Sequence, residues 1–574
     1  MKLLNTILCS AIGLTLSANV SANIYKECYV GKKLSSPSDT IKNNRYNDFD
    51  TDYRKSFDDY VKKTRNDFDV SKEEMERRFI QYRDSVIDDF VKTLYKPWDK
   101  EESKAALPKP IDNSVGPQLL PIDDTVIKDD DKRTTPVPQE DVDDNTIPDE
   151  QNEPVDKPTP KKSPLPYKPI TIHPKHVLEI PILDESKRPV PFVPIVMPKQ
   201  MPDTDLFAFS VFGTDMQVSL DNSCRFSLTT CNNSVAEAVS LIASNNKYTV
   251  LLQECLDIRG EYQLCDWAYL KTLEAMSNAF LGKDTNEARL LTGYLFCMSG
   301  YKIRFAFVGD NELIILGACD QSIVNTPYLT LNDSKGSDTY YILIGNSNFR
   351  TLQICNYEMP SEKAMSLNIY KEPLFDNDIK NLNMQLHSYS DISFDYIINK
   401  NLIDFYDTYP TPLTKGDSYS KWVYYANTPM SAAAKHSLYP AIMRAIEGKD
   451  AREQTDIIMD FIESFEYGYD DEIWGFDRAF FPDETIFYPQ SDCEDHAILL
   501  TRLVRDLLGL ETALVYYPGH LAAAVCFNDS YSEDDHIIYN GKKYTICDPT
   551  IYYSGSGRTM RGMHNEEATL IIVR

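Results

Sequence analysis

Three side chains in the last fifth of the chain have the types and spacing needed to work on a carbonyl group. Ser491-Asp492-Cys493-Glu494-Asp495-His496-Ala497 opens a helix, with Ser491 or Asp492 as its cap. Ala497, Leu500, Val504 and Leu507 form its apolar stripe, and Gly509 ends it. A cysteine in the first turn meets unpaired backbone N–H groups and the positive end of the helix dipole. Both favour the thiolate, which is the nucleophilic form. His520 follows Cys493 by 27 residues and Asp548 follows His520 by 28. In the expected site the imidazole accepts the thiol proton and the carboxylate fixes its tautomer and orientation. His496 is the rival base, one helical turn from Cys493, but a partner on the same helix aims less readily at the thiol. An oxyanion needs a second donor beside the Cys493 backbone N–H, and Gln490 and Trp474 are the candidates. Phe476, Phe480, Phe481, Phe487 and Tyr488 wall a cleft or fill a core. Alone, each triad residue has an ordinary reading: a buried thiol, a turn histidine, a turn-capping aspartate.

The elements that must position these groups are three strands. Glu511–Tyr517 reads as a strand, Pro518-Gly519 as a turn, His520–Phe527 as the return strand and Lys543–Asp548 as the third. His520 starts one strand and Asp548 ends its antiparallel neighbour, so the two meet at one end of the sheet. Alternation puts His520, Ala522, Ala524 and Cys526 on one face, and Tyr544, Ile546 and Asp548 on one face of the next strand. If that face meets the Cys493 helix, the small alanines let it pack closely. Cys547 then points to the opposite face from Cys526, which argues against a disulfide between them.

Asp492-Cys493-x-Asp495-x-Ala497 at a helix start, Pro518-Gly519-His520 to Val525 on a strand, and Cys547-Asp548-Pro549-Thr550 closing the next resemble the transglutaminase-like superfamily. The resemblance covers about 431–574, and the run from Asp548 to Gly562-Met563 is similar to the post-triad loop of its bacterial secreted members. It implies a papain-like α+β fold with the Cys493-His520-Asp548 triad. No cofactor or metal is implied, and the cysteine spacings give no zinc pattern.

The remainder of the 574 residues is too long for a single small core. Residues 1–22 read as a secretory signal, with Lys2, the apolar run Leu3 to Leu16 and the small-residue site Val20-Ser21-Ala22. An exported protein, periplasmic or extracellular, is expected, with no transmembrane segment. Of the 12 cysteines, 11 lie beyond that signal, an odd number that leaves at least one thiol unpaired within the chain. The net charge of −28 argues against nucleic acid as a partner; a protein or peptide substrate, at the cell envelope among other places, fits better.

Residues 24–97 read as a helical hairpin, with apolar steps of three and four over 44–68 and 72–95. About twenty of the 33 prolines fall within 98–203, a Pro-rich acidic linker, extended or disordered over 100–165. Its end, Ile170 to Met201, is richer in Ile and Val and is expected against a folded surface. An α+β domain is expected over 204–360, a less legible connection over 361–430, and the catalytic domain over 431–574.

The second of these domains echoes the last. Asn286 to Leu291, then Ser299-Gly300 and an alternating strand, matches Glu494 to Leu499, then Leu508-Gly509 and a strand. Setting Gly300 on Gly509 drops Cys493 onto Asp284, and no histidine lies between His176 and His387. The expectation is a degenerate copy that has lost the triad, recognisable by a shared strand order. Cys265-Asp266 imitates a nucleophile motif but has no histidine nearby in sequence.

The function expected is acyl transfer at amide bonds through a thioester on Cys493, with hydrolysis favoured over transfer to an amine because water is abundant. The rival is a catalytically silent scaffold or binding protein.

Overall fold

The computed structural model describes 80–102, 169–180 and 188–574, apart from short gaps at 230–231, 310, 334–335, 415, 528–532, 561 and 564–566, together with isolated helical positions between 62 and 78. The signal segment, most of the first expected helix and most of the linker lie outside the described residues. The second expected helix is present over 80–94, burying Val86, Ile87, Phe90, Val91 and Leu94 on one side.

Two sheets with helices against them make a mixed α+β fold. The strands are β1 Asp99–Glu102, β2 Thr171–Ile172, β3 His176–Glu179, β4 Ile303–Val308, β5 Glu312–Ala318, β6 Tyr328–Asp333, β7 Gly336–Ile344, β8 Thr351–Cys355, β9 Thr512–Tyr517, β10 His520–Val525, β11 His536–Tyr539, β12 Lys542–Cys547 and β13 Thr569–Ile572. The helices that concern the site are α1 Asp266–Leu281, α2 Asn286–Met298, α3 Ala432–Ala445, α4 Ala451–Glu463 and α5 Cys493–Leu508. The first sheet runs β1-β8-β4-β5-β7-β6 and the second β2-β11-β12-β10-β9-β13-β3.

Both sheets share one winding. Counting the strands of each sheet after α2 and after α5, each reads third, fourth, second, first, fifth, with every one of those pairs antiparallel. The likeness extends to the faces. Leu313 and Ile315 of β5 join the core that holds α2, while Ile314 and Leu316 face the other way. In β10, Leu521, Ala523 and Val525 join the core that holds α5, while Ala522 and Ala524 face the other way. That last observation corrects the expected helix-facing set: α5 packs on Ala523, not on Ala522 and Ala524. The sheet is covered on both faces, so both alternating sets are apolar and alternation alone does not choose between them.

The two helices differ in length. Between its first residue and the glycine that ends it, α5 has two more residues than α2, so a match set on Gly300 slips at the other end. The residue that opens α2 is Asn286, and Asp284 lies outside the helix with φ +59°.

The tail of the linker is built into the second sheet. β2 pairs in parallel with β11 at one edge, and β3 pairs in parallel with β13 at the other. Beyond β2, Lys175 donates its N–H to the Ala568 carbonyl. The segments 204–360, 361–430 and 431–574 share one apolar cluster, which runs from Val86 through Trp422 to Val573, and the other face of each sheet has a smaller cluster of its own. The hairpin Ile379–Gln385 and Ser393–Asn399, in the segment expected to connect, packs against α3. Among the described residues no helix is long and apolar enough to cross a membrane.

Candidate active site

Helix α5 starts as its sequence requires. Asp492 caps it, accepting from Glu494 N at 3.0 Å, while Asp495 reaches back to Asp492 N at 3.2 Å. This reciprocal pair satisfies two of the orphan donors of the first turn. The other Asp495 oxygen accepts from Phe480 N at 2.7 Å, tying the preceding loop to the helix. Cys493 is the first helical residue, 8% exposed.

His520 opens β10 directly after the Pro518-Gly519 turn, where Gly519 has φ +85°, a backbone that favours glycine. Asp548 comes directly after the last residue of β12. The two meet as the sequence implied: His520 Nε2 lies 2.6 Å from Asp548 Oδ2, with both residues buried. The second Asp548 oxygen accepts from Thr550 N at 3.1 Å and from Thr550 Oγ1 at 2.6 Å. Burial alone would raise the Asp548 carboxyl, but the His520 charge and these hydrogen bonds outweigh it and hold it below its ordinary value. Asp548 is therefore a carboxylate acceptor, which makes His520 Nε2 the donor and leaves Nδ1 as the second ring nitrogen. Burial opposes charge on His520, yet the Asp548 charge and hydrogen bond raise it above its ordinary value.

The pair is within electrostatic reach of the start of α5. The Leu521 backbone, one residue past His520, hydrogen-bonds the Cys493 thiol, and the Asp548 charge is felt at Cys493. Asp492 in turn acts on His520. The Tyr467 hydroxyl also reaches the thiol. Tyr467 is fixed by a short parallel bridge, Glu466–Tyr467 against Gln490–Ser491, that ends two residues before the cysteine. Among the described residues no hydrogen bond joins Cys493 to His520; the thiol is engaged by Tyr467 and Leu521.

The electrostatics differ from the expectation of a thiolate at a helix start. Burial, then Asp492 and Glu494, push the Cys493 thiol well above its ordinary value. The helix terminus is more than offset by acid groups around it. Burial pushes Asp492 up to about 6, and burial also raises Glu494 and Asp495 well above the carboxylate range. Lys421, itself buried, lies 2.6 Å from Asp477 and 3.4 Å from Glu494. Asp470, Asp477 and Glu494 bring carboxylate oxygens within 4.8 Å of one another, with this lysine beside them.

His496 bonds Ser491 and feels the Asp548 charge and the Pro549 backbone. Its Nε2 lies 2.9 Å from Ser491 Oγ, and burial lowers the ring to about 4, so it is neutral at ordinary pH. Of the two oxyanion candidates, Gln490 gives its amide N–H to Glu466 at 2.7 Å. Trp474 stacks its ring under Arg478 at 4.4 Å, and its buried indole N–H has no partner. Phe480 and Tyr488 pack against Trp474, and Phe481 stacks on Tyr406, so this part of the aromatic run is core. Tyr467 escapes sequence reasoning; its signal is the bridge to Ser491, which no local pattern announces.

Cys265-Asp266 proves structural. Cys265 caps α1 without a side-chain hydrogen bond, and Asp266 accepts from Arg188 at 3.1 Å, Tyr301 at 2.7 Å and Ser366 N at 2.9 Å. All nine cysteines among the described residues are free thiols, Cys526 and Cys547 included.

No protein-family model matches the chain, and neither a curated protein nor a solved structure matches it.

Proposed function

We propose that the chain is a transglutaminase-like cysteine enzyme, with a papain-like catalytic unit, that acts on amide bonds through a thioester on Cys493. The observation that carries this reading is the buried His520–Asp548 pair at 2.6 Å, within electrostatic reach of the first turn of the helix that Cys493 opens. In the first step the thiol leaves Tyr467 and gives its proton to His520 Nδ1 as sulfur bonds to the substrate carbonyl carbon. The imidazolium then protonates the departing amine as the C–N bond breaks, leaving a thioester. Water, deprotonated by His520, attacks the thioester, the C–S bond breaks, and the proton returns to sulfur. An amine in place of water would make the reaction a transfer. The Cys493 N–H is one oxyanion donor, with Tyr467, Gln490 and Trp474 as candidates for the second.

The unit over 286–355 is a degenerate copy in this reading. Asn286 stands where Cys493 stands and Glu312 where His520 stands, while Gly345 comes after its strand as Asp548 comes after β12. The chain thus retains one competent triad, in an exported protein whose peptide or protein substrate lies outside the cytoplasm.

A second reading, a silent scaffold, draws on the raised Cys493 thiol and on the burial of all three residues. A thiol-directed acylating probe decides between them. Selective labelling of Cys493 at neutral pH, lost in His520→Ala, supports the enzyme; a folded wild-type protein that resists labelling supports the scaffold.

A further inference from the structure

The rim above Cys493 combines exposed apolar side chains with unpaired acid. Tyr469, Ile473 and Phe476 are 47%, 40% and 54% exposed, and Tyr552 and Tyr553 are 48% and 72% exposed. Side chains this large and this exposed in one neighbourhood mark a surface that meets something. All but Phe476, which follows Ile473 by three residues, are linked across the site. The Tyr469 ring lies 5.5 Å from that of Tyr467, which reaches the Cys493 thiol. Ile473 and Gln490 crowd Gly468 so closely that an added Cβ would sit 2.8 Å from the first and 3.0 Å from the second. Gln490 holds Glu466, whose charge is felt by Tyr552 on the far wall. That wall is the loop after the triad, held down where Tyr553 N donates to Glu463 at 3.1 Å and Ser556 N donates to Asp456 at 2.7 Å.

The charge of this rim has one sign. Residues 463–495 hold eleven Asp and Glu against a single basic residue, Arg478. Arg478 is occupied by Glu484 and by Asp407 at 2.9 Å. Lys421, the nearby cation, is buried between Asp477 and Glu494. Glu466, Asp471 and Glu472 are exposed and have no ion-pair partner among the described residues. A low-dielectric wall beside uncompensated carboxylates attracts cations and repels anionic surfaces.

We propose that this rim selects an acyl-donor peptide segment carrying a basic residue beside an aromatic one, the aromatic ring lying among Tyr469, Ile473 and Phe476 and the cation meeting Glu466, Asp471 and Glu472. The inference rests on the reading of Cys493 as the nucleophile and names the substrate class for that site. Anionic membranes and nucleic acids do not fit a rim of this sign.

Two short peptides with the same thiol-reactive group, one with Lys-Phe and one with Glu-Phe beside it, test it. The rate of Cys493 labelling in the full chain is expected to be at least about tenfold higher for the Lys-Phe probe, a preference that shrinks as salt is raised. The ratio is expected to collapse in Glu466→Gln with Asp471→Asn and Glu472→Gln. Equal labelling by both probes overturns the rim inference and leaves the chemistry standing. If neither probe labels, the reading of Cys493 fails, and unreactive fluorescent versions of the two peptides still decide the rim: tighter binding of the Lys-Phe peptide supports it, and equal binding overturns it.

Discussion

Asn286 and Cys493 occupy corresponding places in the two sheets. Each is the first residue of its helix, and each side chain meets the backbone of the second residue of the second strand. Leu313 N donates to Asn286 Oδ1 at 2.9 Å, and the Leu521 backbone bonds the Cys493 thiol. Asn286 spends its amide on the Asn311 carbonyl at 2.9 Å, so the place that the proposal makes reactive beside the second sheet is sealed by hydrogen bonds beside the first. Asn286→Ala leaves the Leu313 N–H and the Asn311 carbonyl short of a partner. It is expected to cost about 1–3 kcal/mol, read by chemical denaturation. Asn286→Cys is expected to stay unlabelled by the acylating probe, because Glu312 stands in the histidine's place; labelling there would sink the correspondence.

Asp548→Asn keeps an oxygen for Thr550 and removes the charge on His520. Probe labelling and any turnover are expected to fall by about 10²–10⁴-fold, the range for a lost acid–base group. The His520 titration, followed by NMR, is expected to move to lower pH, because burial lowers it and Asp548 no longer opposes that effect. An unchanged titration would mean that the pair is not intact in solution.

Tyr467→Phe removes the hydroxyl that reaches the thiol. Alkylation of Cys493 by iodoacetamide at pH 8 is expected to slow about tenfold, the worth of one charge-assisted hydrogen bond of about 1.5 kcal/mol. In wild type the alkylation rate is expected to keep rising through pH 9, since burial and then Asp492 and Glu494 push the thiol well above its ordinary value. A rate that levels off below pH 7 would contradict this.

Acid should stabilise the chain over a defined range. Burial pushes Glu463 and Asp470 up to about 7, Asp483 to about 6 and Glu484 to about 8. Unfolded, such carboxyls lose their protons near about 4. Between those values the folded chain binds more protons than the unfolded one, so stability falls as pH rises from about 4 to about 8. The melting temperature is expected to be higher at pH 5.5 than at pH 8, and Glu463→Gln is expected to flatten part of that slope.

Much of the site's scaffold is legible in the sequence because local signals agree. The echo read from Asn286 to Ser299-Gly300 is the helix Asn286–Met298, since Thr285 caps it and Gly300, with its positive φ, turns the chain out of the helix. The β9–β10 hairpin is legible from Pro518-Gly519 between two apolar runs. The helix Asn246–Glu261 is not, because its consecutive buried residues Val250, Leu251 and Leu252 have no period of their own. The Ile379–Gln385 strand escapes notice because it is mostly exposed and carries Lys380, Asn381 and Asn383. Which face of β10 meets α5 is misread from alternation because both faces are buried. The raised Cys493 thiol depends first on burial, which a helix start does not reveal, and then on Asp492 and Glu494, which flank the cysteine in sequence.

Both outer strands of the triad's sheet come from residues 171–179, and Ile170 N is bonded to Asp535 across 365 residues. During synthesis those strands emerge long before their partners exist. Contacts this distant make closure slow and leave the early segment waiting as an extended edge. That sheet can therefore be completed only when Thr569–Ile572 have left the ribosome. A chain cut short before Thr569 would hold the Cys493 helix without its finished sheet, so the order of manufacture itself withholds the proposed site until that strand is made.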